Sequence, residues 1–244
     1  MPEHLFISDL HLSAERPEVV QFFLRFIKQR AIQTDHLYIL GDLFDVWIGD
    51  DDRRAPIPEI VSALKHLTQS GTHLYFMYGN RDFLIGDDFC RDCGAELLSD
   101  PKPIELFGTP TLLMHGDLLC TDDLDYQAFR RQVRHPDFAL QFLSLSLDAR
   151  REQAKAYREQ SGEANANKAE VIMDVNQQAV MSYLTDYGAD RLIHGHTHRP
   201  ADHPFTIDGK DKIRHVLGEW HDDSAEIISV TEDGVTREKY TRAC

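Results

Sequence analysis

Five short apolar runs in this chain each stop on a small group of Gly, Asp, Asn or His residues. Leu5-Phe6-Ile7 runs into Ser8-Asp9-Leu10-His11, Leu37–Leu40 into Gly41-Asp42, and Leu74–Tyr78 into Gly79-Asn80-Arg81-Asp82. Thr111–Met114 runs into His115-Gly116-Asp117, and Arg191–His194 into Gly195-His196-Thr197-His198. Runs of this length, bounded by turn residues, read as buried strands. In α/β sheets, ligand sites form just beyond the carboxyl ends of strands, so such ends converge on one place. The neighbouring glycines let the backbone turn sharply there. A fold for this chain must therefore bring five strand ends to a common edge.

The spacing between the runs supplies the rest of the plan. Pro17-Glu18 opens a helical pattern with Val19, Val20, Phe22, Phe23, Phe26 and Ile27 on one side, and proline suits a first helical turn. Pro58 opens a second helix, with Ile60, Val61, Leu64 and Leu67, which Gly71 closes. This β-α-β-α-β order predicts parallel strands with helical crossovers. After residue 100 a hairpin is expected over 104–114, then mostly helix over 124–187, and three short strands near 203–208, 212–217 and 225–230. Antiparallel strands in the second half predict a second sheet packed on the first.

Segment 124–170 differs in composition: its eight Arg and Lys outnumber its acids by one, whereas the whole chain carries −15. It also holds an apolar run from Phe138 to Leu147, broken by polar residues and far shorter than the ~20 of a spanning helix. We read 1–123 and 171–244 as the core and 124–170 as an inserted helical cap or lid. The net charge argues against non-specific nucleic-acid binding. It leaves room for an anionic substrate if metal ions supply the positive charge. The Met-Pro-Glu-His start has no basic region, so a cytoplasmic protein is expected. Cys90-x-x-Cys93 has no second pair to complete a metal site, and the four cysteines read as reduced structural thiols.

Mixed Asp, Asn and His donors at one edge suit two divalent ions clamping a phosphoryl group. Asp42, central in chain order, is the candidate bridge. Such donors favour Mn²⁺, Fe²⁺ or Zn²⁺ over Ca²⁺.

Taken together, Asp9-x-His11, Gly41-Asp42, Gly79-Asn80-x-Asp82, His115-Gly116-Asp117 and Gly195-His196-x-His198 resemble the calcineurin-like metallophosphoesterases. The resemblance implies a four-layer αββα sandwich of two mixed sheets, with an inserted helical cap and a dinuclear metal site at one edge. It implies that Asp9, His11, Asp42 and His198 hold one metal, and Asp42, Asn80, His115 and His196 the other. Where the family usually has His, this chain has Arg81. An arginine stays charged and donates no proton usefully, but its planar fork holds phosphate. That departure favours pyrophosphate over ester cleavage, with Asp82 expected to orient Arg81 or a ligand.

Longer stretches narrow the resemblance within the family: Phe6–Leu12, Gly41–Asp50, Gly79–Phe83, His115–Asp123 and His194–Pro200. They are similar to its branch that cleaves a lipid-linked nucleotide-sugar in lipid A biosynthesis. This implies attack of a metal-activated water on the α-phosphorus, with Mn²⁺ as the expected metal. It also implies attachment to the cytoplasmic face of the inner membrane, with no obligatory protein partner. Carried over position by position, catalytic roles fall on Asn80, Arg81 and His196. Substrate contacts fall on Asn80, Arg81, Asp123, Ser161, Asn165, Lys168 and His196. Ser161-Gly162 also reads as a plain helix start. In the cap, Phe138, Leu143 and Leu147 are candidates to line an acyl groove. Arg130, Arg131, Arg134, Arg150, Arg151, Lys155 and Arg158 would meet an anionic leaflet or form a solvated helix face. A soluble nucleotide-sugar or dinucleoside polyphosphate pyrophosphatase, or a non-catalytic scaffold on this fold, are the alternative readings. His194 is expected to point to the other face of its strand as a structural histidine.

Overall fold

The computed structural model describes residues 2–166 and 174–242. The chain begins β1 (His4–Ile7), α1 (Pro17–Gln29), β2 (His36–Leu40), α2 (Ile57–Gln69), β3 (His73–Met77), α3 (Asp87–Cys93) and β4 (Ala95–Leu98). A hairpin of β5 (Lys102–Leu106) and β6 (Thr109–Leu113) follows. Then come α4 (Leu124–Val133), α5 (Pro136–Leu143), α6 (Leu147–Ala166) and α7 (Gln177–Asp186). The chain closes through β7 (Arg191–His194), β8 (Ala201–Ile207), β9 (Lys210–Val216), β10 (Ser224–Thr231) and β11 (Gly234–Thr241).

Two mixed sheets form, in the orders β11-β10-β1-β2-β3-β4 and β5-β6-β7-β9-β8. Alternation along the strands sorts side chains into layers. On β1, Leu5 and Ile7 join a core with Val20, Phe23 and Phe26 of α1 and Ile60 and Leu64 of α2. Phe6 faces the opposite way, into an inter-sheet core with Leu113 of β6 and Ile193 of β7. Leu112 and Leu192 turn outward again onto Val180 and Leu184 of α7. Helices, sheet, sheet and helix thus stack in four layers, as expected. The sequence reading passes over α3, the edge strand β4 and the edge strand β11. These elements are short or lack a clean apolar period, since they bury little on one face.

Burial pushes the thiols of Cys90 and Cys93 up to about 11 and about 12, so both stay protonated within the α1–α3 core. Ser161 and Asn165 lie inside the last turns of α6, which corrects the expected helix start there. About four turns rich in Ala, Glu, Gln and Arg, strong helix formers, precede Ser161 in the same helix. Lys168 is outside the described residues.

Helices α4, α5 and α6, in the segment expected as a cap, are tied inward by arginine. Arg150, 6% exposed, donates to the carbonyls of Ile48, Leu143 and Leu145 at 2.8–3.0 Å and pairs with Asp51 at 2.6 Å. Arg151 reaches Asp52 and Asp148, and Arg158 pairs with Asp45. Arg130 and Arg134 also turn to the core, leaving Lys155 paired with Glu159 and Arg131 exposed. These charges do not form one outward face, because core carboxylates and carbonyls offer them nearer partners. The same segment also exposes apolar side chains: Leu124, Leu140, Leu143 and Leu145.

Replacing Arg150 with Met should lower the unfolding free energy by about 2–4 kcal/mol, since charged hydrogen bonds are lost and buried carbonyls left unsatisfied. Urea denaturation checks this; an unchanged midpoint would show that Arg150 does not anchor the cap.

Candidate metal centre

The carboxyl ends of β1, β2, β3, β6 and β7 meet at one edge, and the residues beyond them leave ordinary backbone geometry. Asp9, His11, Asp42, His196 and His198 all adopt positive φ, between 50° and 69°. Non-glycine residues held there store about 1–3 kcal/mol each, and such strain clusters at functional sites. Close packing holds them. A Cβ added to Gly79 would lie 2.0 Å from Asp42 Oδ1, and one on Gly195 would lie 2.2 Å from Asp9 Oδ2. Main-chain hydrogen bonds lock the first two loops, as Leu10 and His11 N–H both donate to the Asp42 carbonyl.

All seven candidate ligands come together. Asp42 Oδ2 lies 4.0 Å from His11 Nδ1 and 3.9 Å from His115 Nε2, placing one oxygen between two groups of donors. On the first side, His198 Nε2 is 3.5 Å from Asp9 Oδ1 and 3.3 Å from His11 Nε2. On the second, Asn80 Oδ1 lies 2.9 Å from both His115 Nε2 and His196 Nδ1. Asp9 Oδ1 and His11 Nδ1 are buried without a hydrogen-bond partner. Orphaned donors of this kind, in a mixed oxygen and nitrogen set, fit two divalent cations. Of the two roles expected for Asp82, orienting Arg81 or a ligand, its hydrogen bonds match the second. It accepts from the N–H groups of Gly79, Asp42 and Leu43 and so pins the β2 and β3 ends together. His194 is buried, with Nε2 3.3 Å from Arg214 Nη1, and alternation along β7 puts it on the face of Leu192, which packs against α7, as expected.

Electrostatics divide the edge. Burial pushes His11 and His196 down to about 4, so both are neutral and able to ligate. Burial also opposes charge on His115, but Asp42, Asp117 and Asp9 outweigh it and raise the group to about 9. His198 likewise rises to about 10 despite burial, through Asp9 and Glu219. Without metal, protons on these histidines stand in for cations.

Five of the candidate ligands, His11, Asp42, Asn80, His196 and His198, line a cavity together with Arg81, Asp123, Tyr126 and Arg199. A second, narrower cavity shares Asn80, Arg81 and Tyr126 with it and runs between Trp47, Phe83, Phe138 and Phe142. Of the three groove candidates, Phe138 lines it, whereas Leu143 is outward and Leu147 packs on the core. Asp123 faces the polar cavity and also caps α4, accepting from Tyr126 N–H at 3.0 Å. Tyr126 is a residue the sequence reading misses: its ring lies 5.8 Å from that of His196, and its hydroxyl donates to Asp117 at 2.8 Å. Glu219, 3.1 Å from His198 Nδ1, is another. It follows the end of β9 as Gly218-Glu219, the same signal as Gly41-Asp42.

Residues 4–200 match the calcineurin-like phosphoesterase family, and the chain belongs to it: it is a metal-dependent hydrolase. Its similarity to particular members is high. The UDP-2,3-diacylglucosamine hydrolase of Cellvibrio japonicus is 50% identical over 218 residues, covering 89% of this chain and 90% of that one. Those of Photorhabdus laumondii and Escherichia coli O7:K1 are each 48% identical, over 217 and 231 residues. They cover 89% and 95% of this chain and 90% and 96% of their own lengths.

Since His115 and His198 must lose protons to ligate, metal binding should release about two protons at pH 7, and affinity should rise up to about pH 10. Calorimetric titration of metal-free protein in buffers of different ionisation enthalpy measures this. Binding without proton release would show that these histidines either carry no proton in the metal-free chain or do not ligate. Gly79→Ala should abolish binding in the same titration, because its Cβ would displace Asp42.

Proposed function

We propose that this chain hydrolyses UDP-2,3-diacylglucosamine to UMP and 2,3-diacylglucosamine 1-phosphate, a step of lipid A biosynthesis. The junction of a polar metal-edge cavity with an apolar one at Asn80, Arg81 and Tyr126 carries this reading. A substrate with a pyrophosphate joined to acyl chains needs both environments side by side. The relatives that share about half of its residues bear this activity in their names.

In this reading Asp9, His11, Asp42 and His198 hold one ion, Asp42, Asn80, His115 and His196 the other, and Mn²⁺ suits the donor set. When bound, the ions supply Lewis acidity toward phosphoryl oxygens and make a water nucleophilic at neutral pH. Arg81 holds the pyrophosphate and offsets charge on the departing sugar phosphate, which leaves without a proton. Asn80 and His196 fix the reacting phosphate, and Asp123, Ser161, Asn165 and Lys168 bind the nucleotide and sugar. Acyl chains enter the apolar cavity, with 124–170 acting as the lid. No helix among the described residues is long and apolar enough to cross a membrane. We place the chain on the cytoplasmic face of the inner membrane, with the exposed cap leucines toward the lipid.

UMP release from diacylated and deacylated substrate tests this. Chelation should abolish it and Mn²⁺ should restore it. Phe138→Ser should raise KM for the diacylated substrate by about 10–100-fold, from the loss of buried aromatic contact, with little effect on the deacylated one. Equal kcat/KM on the two substrates in the unaltered enzyme would hand the reading to a soluble nucleotide-sugar.

A further inference from the structure

His198 is the most exposed of the candidate ligands, and only one of its ring nitrogens faces the other donors. Nε2 looks toward Asp9 Oδ1 at 3.5 Å and His11 Nε2 at 3.3 Å. Nδ1 looks the other way, 3.1 Å from Glu219 Oε2. We propose that Glu219 is a positioning residue that holds His198 in the Nδ1–H tautomer, with Nε2 turned toward the metal. A carboxylate behind a ligating histidine fixes the ring and raises its basicity as a ligand. The inference rests on the two-ion reading of the site above.

Glu219 is itself held from two directions. The next residue, Trp220, is fully buried against Phe22, Phe23 and Phe26 of α1, with ring centroids 5.1–5.9 Å apart. Trp220 N–H donates to the Asp9 carbonyl at 3.2 Å, tying this loop to the first ligand loop. Arg16, at the start of α1, donates to the Trp220 carbonyl at 2.8 Å and lies 3.4 Å from Glu219 Oε1. With Trp220 sunk in the core, its neighbour is aimed at the metal edge. One carboxylate oxygen meets Arg16 and the other meets His198. The ring is left little freedom, although its backbone is strained and its side chain reaches solvent. An ion pair between surface groups would add little to stability. The separate roles of the two ring nitrogens assign Glu219 more than that.

Mn²⁺ titrated into the metal-free full chain, with free Mn²⁺ read by electron paramagnetic resonance, tests the inference without recourse to activity. The unaltered protein should bind two ions; failure to do so defeats the two-ion reading itself. Glu219→Ala should weaken one site by about 10–100-fold and leave the other within about threefold. Glu219→Gln should recover most of the loss, because its amide oxygen still accepts from Nδ1–H. The melting temperature of each metal-free variant shows whether it folds. Two unchanged sites in folded Glu219→Ala would overturn the proposal. So would a Gln variant as impaired as the Ala variant, for then the carboxylate does something other than accept that hydrogen bond.

Discussion

The buried carboxylate of Asp42 joins the two halves of the metal edge. One oxygen lies near 4 Å from a histidine of each donor group, and the other accepts from Arg81 N–H at 2.8 Å. Its carbonyl receives two N–H groups from the loop after β1, and its N–H reaches Asp82. Burial makes ionisation of this group unfavourable and pushes its pKa up, with Asp9 adding to the push and His115 opposing it. Such a carboxylate is tolerable only where positive charge is close. Protonated His115 supplies that charge in the metal-free chain, and bound cations would replace it.

Charge around the site runs against the charge of the chain. A protein of −15 would repel a pyrophosphate. Yet Arg81, Arg130, Arg134 and Arg158 all line the apolar cavity near its junction with the metal edge. Three of these four arginines belong to the cap. Field lines in a partly enclosed cleft depend on its own walls more than on distant surface charge. Arg130 and Arg158 are paired there with Asp117 and Asp45, so the local positive charge rests chiefly on Arg81 and Arg134.

The cap and the metal edge share partners. Asp117, two residues beyond His115, accepts from Tyr126 and Arg130 of α4, while Gln127 donates to its carbonyl. Arg134 donates to the Gly79 carbonyl beside Asn80 and lies 5.0 Å over the Phe83 ring. Helix α4 thus rests directly on two ligand loops, so its placement and the donor geometry depend on one another.

The linear sequence determined the strand ends and their donors, because a strand is a local apolar run and a ligand loop is a local cluster of Gly, Asp, Asn and His. Asp9, His11, Asp42, Asn80, His115, His196 and His198 were legible for that reason, as was a second sheet packed on the first; the four-layer order was implied by the resemblance to a family. That resemblance also supplied the pairing of the donors into two groups. Helical phase in the cap was not legible. Which of Phe138, Leu143 and Leu147 faces the cavity depends on how α5 and α6 settle on the core, and Arg150 decides that from a distance of about a hundred residues in the chain. The inward turn of the cap arginines, the part Asp82 takes in clamping two loops, and the approach of Glu219 to His198 were likewise hidden. Each joins residues far apart in the chain or depends on a side chain's choice among several partners. Local pattern encodes which residues stand at a strand end; only packing decides which distant groups those residues then meet.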